Sequence, residues 1–178
     1  MRDTNALVLH NIPLHISQKD IRIYLTDRLS AIAQSFGLGS WPTGKAIAQL
    51  VQRSNELFIY AATIANFIED QNASDPVDQL EIVMVKTYIE SPVTSPHRQL
   101  DALYLVVLRE AFPSISERQR SRLQTVLGTI VLLFDSLDPE DLEALFELGE
   151  NTVRTTLRHL HSIVIVPDAG DEIGRAHV

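Results

Sequence analysis

Cysteine is absent from the 178 residues, and that one absence removes several chemistries at once. Disulfide scaffolds, zinc ribbons and thiol catalysis all need a sulfur that this chain lacks. A reducing intracellular compartment suits such a composition. Positive charge is also scarce: 15 Lys and Arg stand against 23 Asp and Glu, for a net charge of -8. An acidic chain repels phosphate backbones unless its few cations cluster, which counts against nucleic acid as a partner. Long hydrophobic runs are missing as well. The most apolar stretches, Leu57–Ile68 and Val126–Phe134, fall well short of the roughly 20 residues that cross a bilayer. Met1–His10 carries one Arg and no long apolar core, unlike a secretory signal. There are no internal repeats and no low-complexity segment. Together these absences predict a soluble, cytoplasmic chain with no membrane partner.

What is present is a helical pattern. Apolar residues make up 45% and charged residues 21%, enough to bury a core in one domain or two small ones. Ala6-Leu-Val-Leu9 reads as a lone strand or arm; with no other strand for about 150 residues, it needs a sheet from elsewhere. Ser17-Gln-Lys-Asp20 resembles a capping box and starts a helix whose inward face is Ile21, Leu25, Leu29, Ile32 and Phe36, stopped by Gly37 and Gly39. Trp41-Pro42-Thr43 opens a second helix with Ile47, Leu50 and Val51 inward. The third, about Glu56–Glu69, is apolar nearly all round and so belongs at the centre of a bundle. Asp75-Pro76 caps a fourth, running to about Ile89. Ser91-Pro-Val-Thr-Ser-Pro96 breaks the chain twice, since proline disfavours helix at the residue before it.

Beyond the break, Leu100, Leu103, Tyr104, Val107, Leu108 and Phe112 mark a helix ended by Pro113. Ser116 caps the next, with Leu123, Val126, Leu127, Ile130, Val131 and Phe134 inward. Asp138-Pro-Glu starts a third carrying Leu142, Leu145 and Phe146. Gly149 turns the chain and Asn151 caps a short helix with Val153, Leu157 and Leu160. The β-branched run Ile163-Val-Ile-Val166 predicts a strand, Pro167–Gly170 a turn, and Glu172–Gly174 the start of a return strand. The last three helices, of which the final two form a tight pair, followed by a hairpin, are the order of a winged helix. The expected fold class is mainly α: a small helical bundle followed by a winged-helix domain with a short β-hairpin. The expected domains are residues 1–16, an arm; 17–95, the bundle; and 96–178, the winged helix, incomplete at its C-terminus.

Several segments, in order, resemble the NACHT-type NTPases of the STAND class found in fungi, the vegetative-incompatibility-like proteins. They are Asp20-Ile-Arg-Ile-Tyr-Leu25, Trp41-Pro-Thr43, Leu57-Phe-Ile-Tyr-Ala-Ala-Thr63, Gln99-Leu-Asp-Ala-Leu-Tyr104, Val126-Leu-Gly-Thr-Ile-Val131 and Thr152-Val-Arg-Thr-Thr-Leu-Arg-His-Leu-His161. They cover nearly the whole chain; each alone is an unspecific helix pattern. The resemblance implies a P-loop domain upstream, of which Ala6–Leu9 would be the last strand, and a middle portion of helical domain and winged helix, which this chain would be. It implies a nucleotide-dependent signalling switch in the full-length parent, with ADP or ATP and magnesium bound there and no cofactor held by this fragment. The implied partners are the upstream nucleotide-binding domain in cis and further copies of the full-length protein.

Two residues are cofactor-side candidates in that full-length context, and none in isolation. Phe58 lies in Leu57-Phe-Ile59, where related proteins carry a Gly-Leu-Pro-Leu motif against the base. Glu56 and Phe58 replace the Gly and Pro, so core packing is the simpler reading. His177 falls in Gly174-Arg-Ala-His-Val178, where the family places a phosphate-contacting histidine in an apolar strand; a plain chain end is simpler.

Gly39-Ser-Trp-Pro-Thr-Gly-Lys45 matches G-x-x-x-x-G-K. The next residue is Ala46, so the magnesium-ligating hydroxyl is missing; Pro42 removes a backbone donor; and a helix, not a strand, precedes it. A capped turn with Trp41 on the bundle is expected, rather than an ATPase site around Lys45. Arg154, Arg158, His159 and His161 would read DNA if the winged helix did so, but two arginines beside many acids make a thin basic footprint. A winged-helix DNA-binding protein with a helical dimerisation region is the alternative function. His159 and His161, two apart on a helix, point to different faces and cannot share an ion. Asp138–Asp141 suits a helix N-terminus and lacks calcium-loop spacing. No catalytic residue and no metal ligand is expected.

Overall fold

The computed structural model describes residues 14–70, 75–89, 97–132, 138–165 and 174–175. The fold is mainly α. Ala6–Leu9, Pro92, Phe134, the turn at Pro167–Gly170 and His177 lie outside the described residues.

Helix α1 spans Leu14–Ser35, α2 Gly44–Ser54, α3 Phe58–Glu69, α4 Pro76–Ile89 and α5 Arg98–Ala111. In α1 the expected stripe is inward, with Ile21, Leu25, Leu29 and Ile32 all buried. Its start differs: the helix already runs at Leu14, so Ser17 lies inside it and is not its cap. At its other end Gly37 takes φ +67 and Leu38 N–H donates back to the Ala33 carbonyl at 2.8 Å, a left-handed stop that glycine adopts without strain. Phe36 sits at that turn and is exposed rather than inward, because the backbone reverses before a further helical turn could carry it to the core.

Thr43 caps α2, its hydroxyl accepting from Ala46 N–H at 3.2 Å. Asp75 caps α4 through Val77 N–H at 2.8 Å. Between them α3 buries Tyr60, Ala61, Ala62, Thr63, Ile64, Ala65, Phe67 and Ile68. Burial on nearly every face requires neighbours on nearly every face, and α3 packs against α1, α2, α4 and α5. Helix α5 also lies along α4, where Lys86 and Glu110 form an ion pair, and buries Ala102, Leu103, Val106 and Val107. Packing therefore continues across residues 91–96: the helix after the prolines returns to the first group.

The remaining helices are α6, Glu117–Leu132; α7, Pro139–Leu145; and α8, Thr152–Leu157. A reciprocal capping box starts α6: Gln119 N–H donates to Ser116 Oγ at 3.3 Å, and Ser116 N–H donates to Gln119 Oε1 at 3.0 Å. Asp138 caps α7 through Asp141 N–H at 2.7 Å, with Pro139 in the first turn. Helix α8 packs on α6 and α7 around Val126, Leu142, Val153, Leu157 and Leu160. Val131, expected inward, is 60% exposed, at the flank of a stripe centred on Val126 and the half-buried Leu123, Leu127 and Ile130.

After α8, Leu160–Ile163 is turn, with Ile163 N–H bonded to the Leu160 carbonyl at 2.9 Å. The expected strand thus begins one residue late. Strand β1 is Val164–Ile165 and β2 is Gly174–Arg175, paired antiparallel with Val164 opposite Arg175. Among the described residues the ladder is two residues a side, and the hairpin of a wing is not seen.

Candidate functional site

Asn55 ends α2 with φ 45, and Glu56 follows with φ 67. Two successive left-handed residues reverse the chain sharply, so that α3 starts at Phe58 only a step away, with Leu57 as its N-cap and no side-chain cap bond. His97 holds the same place before α5, again without a side-chain cap bond. Between these helix ends opens a hollow of about 520 Å³, lined among others by Gln52, Arg53, Asn55, Leu57, His97 and Arg98. The exposed first amides of α3 and α5 carry partial positive charge, and Arg53 and Arg98 add full charges. The hollow is consequently polar and cationic, with Leu57 and Leu100 as its apolar lining.

Arg53 is fixed from behind. Its Nη1 donates to the Met84 carbonyl at 2.8 Å and to Thr87 Oγ1 at 3.0 Å, tying α2 to α4. The buried Tyr60 hydroxyl lies beside both Thr87 and Arg53 without meeting hydrogen-bond geometry. Burial pushes that hydroxyl up to about 12, the Arg53 charge pulling the other way.

Leu57, not Phe58, faces the hollow. The Phe58 ring packs on Tyr24 of α1 with centroids 4.8 Å apart and planes tilted 54°, an aromatic contact at the edge of the core. Gly39–Lys45 forms the turn and first residues of α2; Trp41 packs against the core, the Trp41–Pro42 peptide is cis, and Lys45 is exposed.

On α8 and just beyond, Arg154 Nη2 reaches Glu140 Oε1 at 3.4 Å, and Arg158 Nε donates to His159 Nε2 at 2.8 Å. His159 meets Phe112 edge-on, centroids 6.5 Å apart. His161 is exposed and distinct from this group. Among the described residues no three His, Asp or Glu side chains are placed to hold a metal ion.

The sequence pattern passed over Glu143. The residue is 9% exposed and its carboxylate bonds two backbone amides, Oε2 accepting from Asn151 N–H at 3.0 Å and Oε1 from Val153 N–H at 2.8 Å. It thereby caps α8 in place of Asn151, whose side chain makes no cap bond. The signal was available: Pro139, Leu142, Glu143 and Phe146 fall at i, i+3, i+4 and i+7, which puts Glu143 on the inward stripe of α7.

No family model matches the chain, and neither a curated protein nor a solved structure matches it.

Proposed function

We propose that this chain is the non-catalytic regulatory portion of a NACHT-type signalling NTPase, a helical bundle joined to a winged-helix domain. The observation that carries the reading is the cationic hollow beside Leu57, where the N-termini of α3 and α5 meet the end of α2. The resemblance puts the base side of a nucleotide at this segment, and a surface of that charge suits a neighbour that holds one. The order of three helices after it suits the second half of the resemblance.

In the full-length parent the bundle lids the nucleotide and the later helices lock the closed state. Exchange of the nucleotide then drives a rigid-body rotation that frees oligomerisation surfaces. ADP or ATP with magnesium belongs to the upstream domain, because no segment here supplies a phosphate-cradling loop with a magnesium-ligating hydroxyl. The protein acts in the cytoplasm. The DNA-binding alternative has less support: Arg154 is engaged by Glu140, which leaves the short α8 with little charge for phosphates.

A complete transcript should carry an in-frame P-loop upstream of Ala6, and one without it would sink the reading. Isothermal titration of this chain with ADP and magnesium should give no binding heat. Micromolar binding accompanied by hydrolysis that Lys45→Ala abolishes would replace the reading with an ATPase centred on Gly39–Lys45.

A further inference from the structure

We propose that the groove where the α5–α6 connection meets the end of α8 docks an acidic peptide, whose carboxylates bind Arg122 and Arg158 and whose apolar side chain lies on Phe112 and Ile115. The groove encloses about 310 Å³ and is built from three separate elements: Phe112–Ile115 from the connection, Arg122 from α6, and Arg158 and His159 from the residues following α8.

Charge distribution carries the inference. In a chain with 23 acids and 15 cations, carboxylates outnumber the basic side chains that could meet them. Arg28 pairs with Glu69, Lys86 with Glu110, Arg120 with Glu117 and Arg154 with Glu140. Arg122 is half-buried and makes no ion pair or hydrogen bond among the described residues. Arg158 spends only its Nε on His159, an uncharged acceptor in that bond, so both Nη groups remain as donors. No Asp or Glu lines the groove. Two guanidinium forks converge there without a counter-ion, and a guanidinium fork matches a carboxylate bidentately.

The remainder of the lining decides which anion. Phe112 and Ile115 are half-buried, and the Phe112 ring is held edge-on by His159, so an apolar wall stands next to the two cations. A carboxylate residue adjacent to an aromatic or aliphatic one satisfies both halves. A nucleic-acid backbone suits the place poorly, since it needs a longer track of cations than these two arginines. Nothing in this inference depends on the nucleotide-switch reading.

The test is fluorescence polarisation of the whole chain with a labelled peptide of alternating glutamate and phenylalanine. Saturable binding with Kd below about 1 mM is expected at low salt. Arg122→Glu combined with Arg158→Glu should weaken it about tenfold or more, and Arg120→Glu should leave it unchanged, since Arg120 is already paired. If the double variant fails to fold, as judged by its helical circular dichroism, Arg122→Gln alone should still weaken binding several-fold. The same peptide with glutamine for glutamate should lose the signal. Absence of saturable binding, equal binding by the glutamine peptide, retention of affinity in the arginine variants, or tighter binding of a short DNA duplex would each overturn the proposal.

Discussion

Tyr60 shows how one buried polar atom sets a pH limit. Its side chain is fully buried, and burial opposes the phenolate more than the nearby Arg53 charge favours it. The unfolded chain loses this proton near the ordinary 10.0, whereas the folded chain holds it to about 12. The stability tied to that proton is therefore present in full below pH 10 and falls as pH rises towards 12, by about 2–3 kcal/mol in all. The Tyr104 hydroxyl is also pushed up by burial and adds to the same trend. Tyr60→Phe should change stability at pH 7 by no more than about 1 kcal/mol, since no hydrogen bond is lost, and should flatten the decline above pH 10. Urea unfolding at pH 8 and pH 11 checks this; an undiminished alkaline loss in the variant would show that another group is responsible.

At the scale of elements, α8 is too short to stand by propensity alone. It persists because Glu143 of α7 satisfies two of its first amides while Val153 and Leu157 enter the core. Glu143→Ala should cost about 2–4 kcal/mol, through the loss of two charge-assisted bonds and the burial of the unpaired Val153 N–H. Glu143→Gln, which keeps one accepting oxygen, should cost roughly half as much. Hydrogen exchange of the α8 amides should quicken in both variants, and unchanged protection would rule out the cap. The chain turns twice between α7 and α8, the second time at the expected Gly149, whose carbonyl accepts from Thr152 N–H at 3.1 Å. Left-handed backbone falls on Glu147, at φ 51, and on Asn151, at φ 58. Leu148 N–H bonds the Glu143 carbonyl at 2.8 Å and closes α7 in the first of these turns.

For the whole molecule, the connection at residues 91–96 and the packing disagree in an informative way. Leu103 is fully buried on α5, which contacts α3 and α4, so it shares a core with Ile64. Leu103→Ala and Ile64→Ala should each cost about 2–5 kcal/mol and lower the same unfolding transition. If Leu103→Ala instead lowered a transition shared with Val153→Ala, α5 would belong to the later helices.

Helix existence and inward faces were legible in the residue order because burial of one stripe imposes a period of 3.6, and because caps such as Thr43, Asp75, Ser116 and Asp138 act through neighbours two or three residues away. The all-round burial of α3 was legible for the same reason: its apolar residues leave no solvent face. Other features depend on residues far apart in sequence. Which ring Phe58 packs on, whether Glu143 is a surface acid or a cap, and which helices α5 packs against are decided by contacts between elements. The convergence of Arg122 with Arg158 is of this kind too, since local pattern carries no information about which distant side chains share one groove.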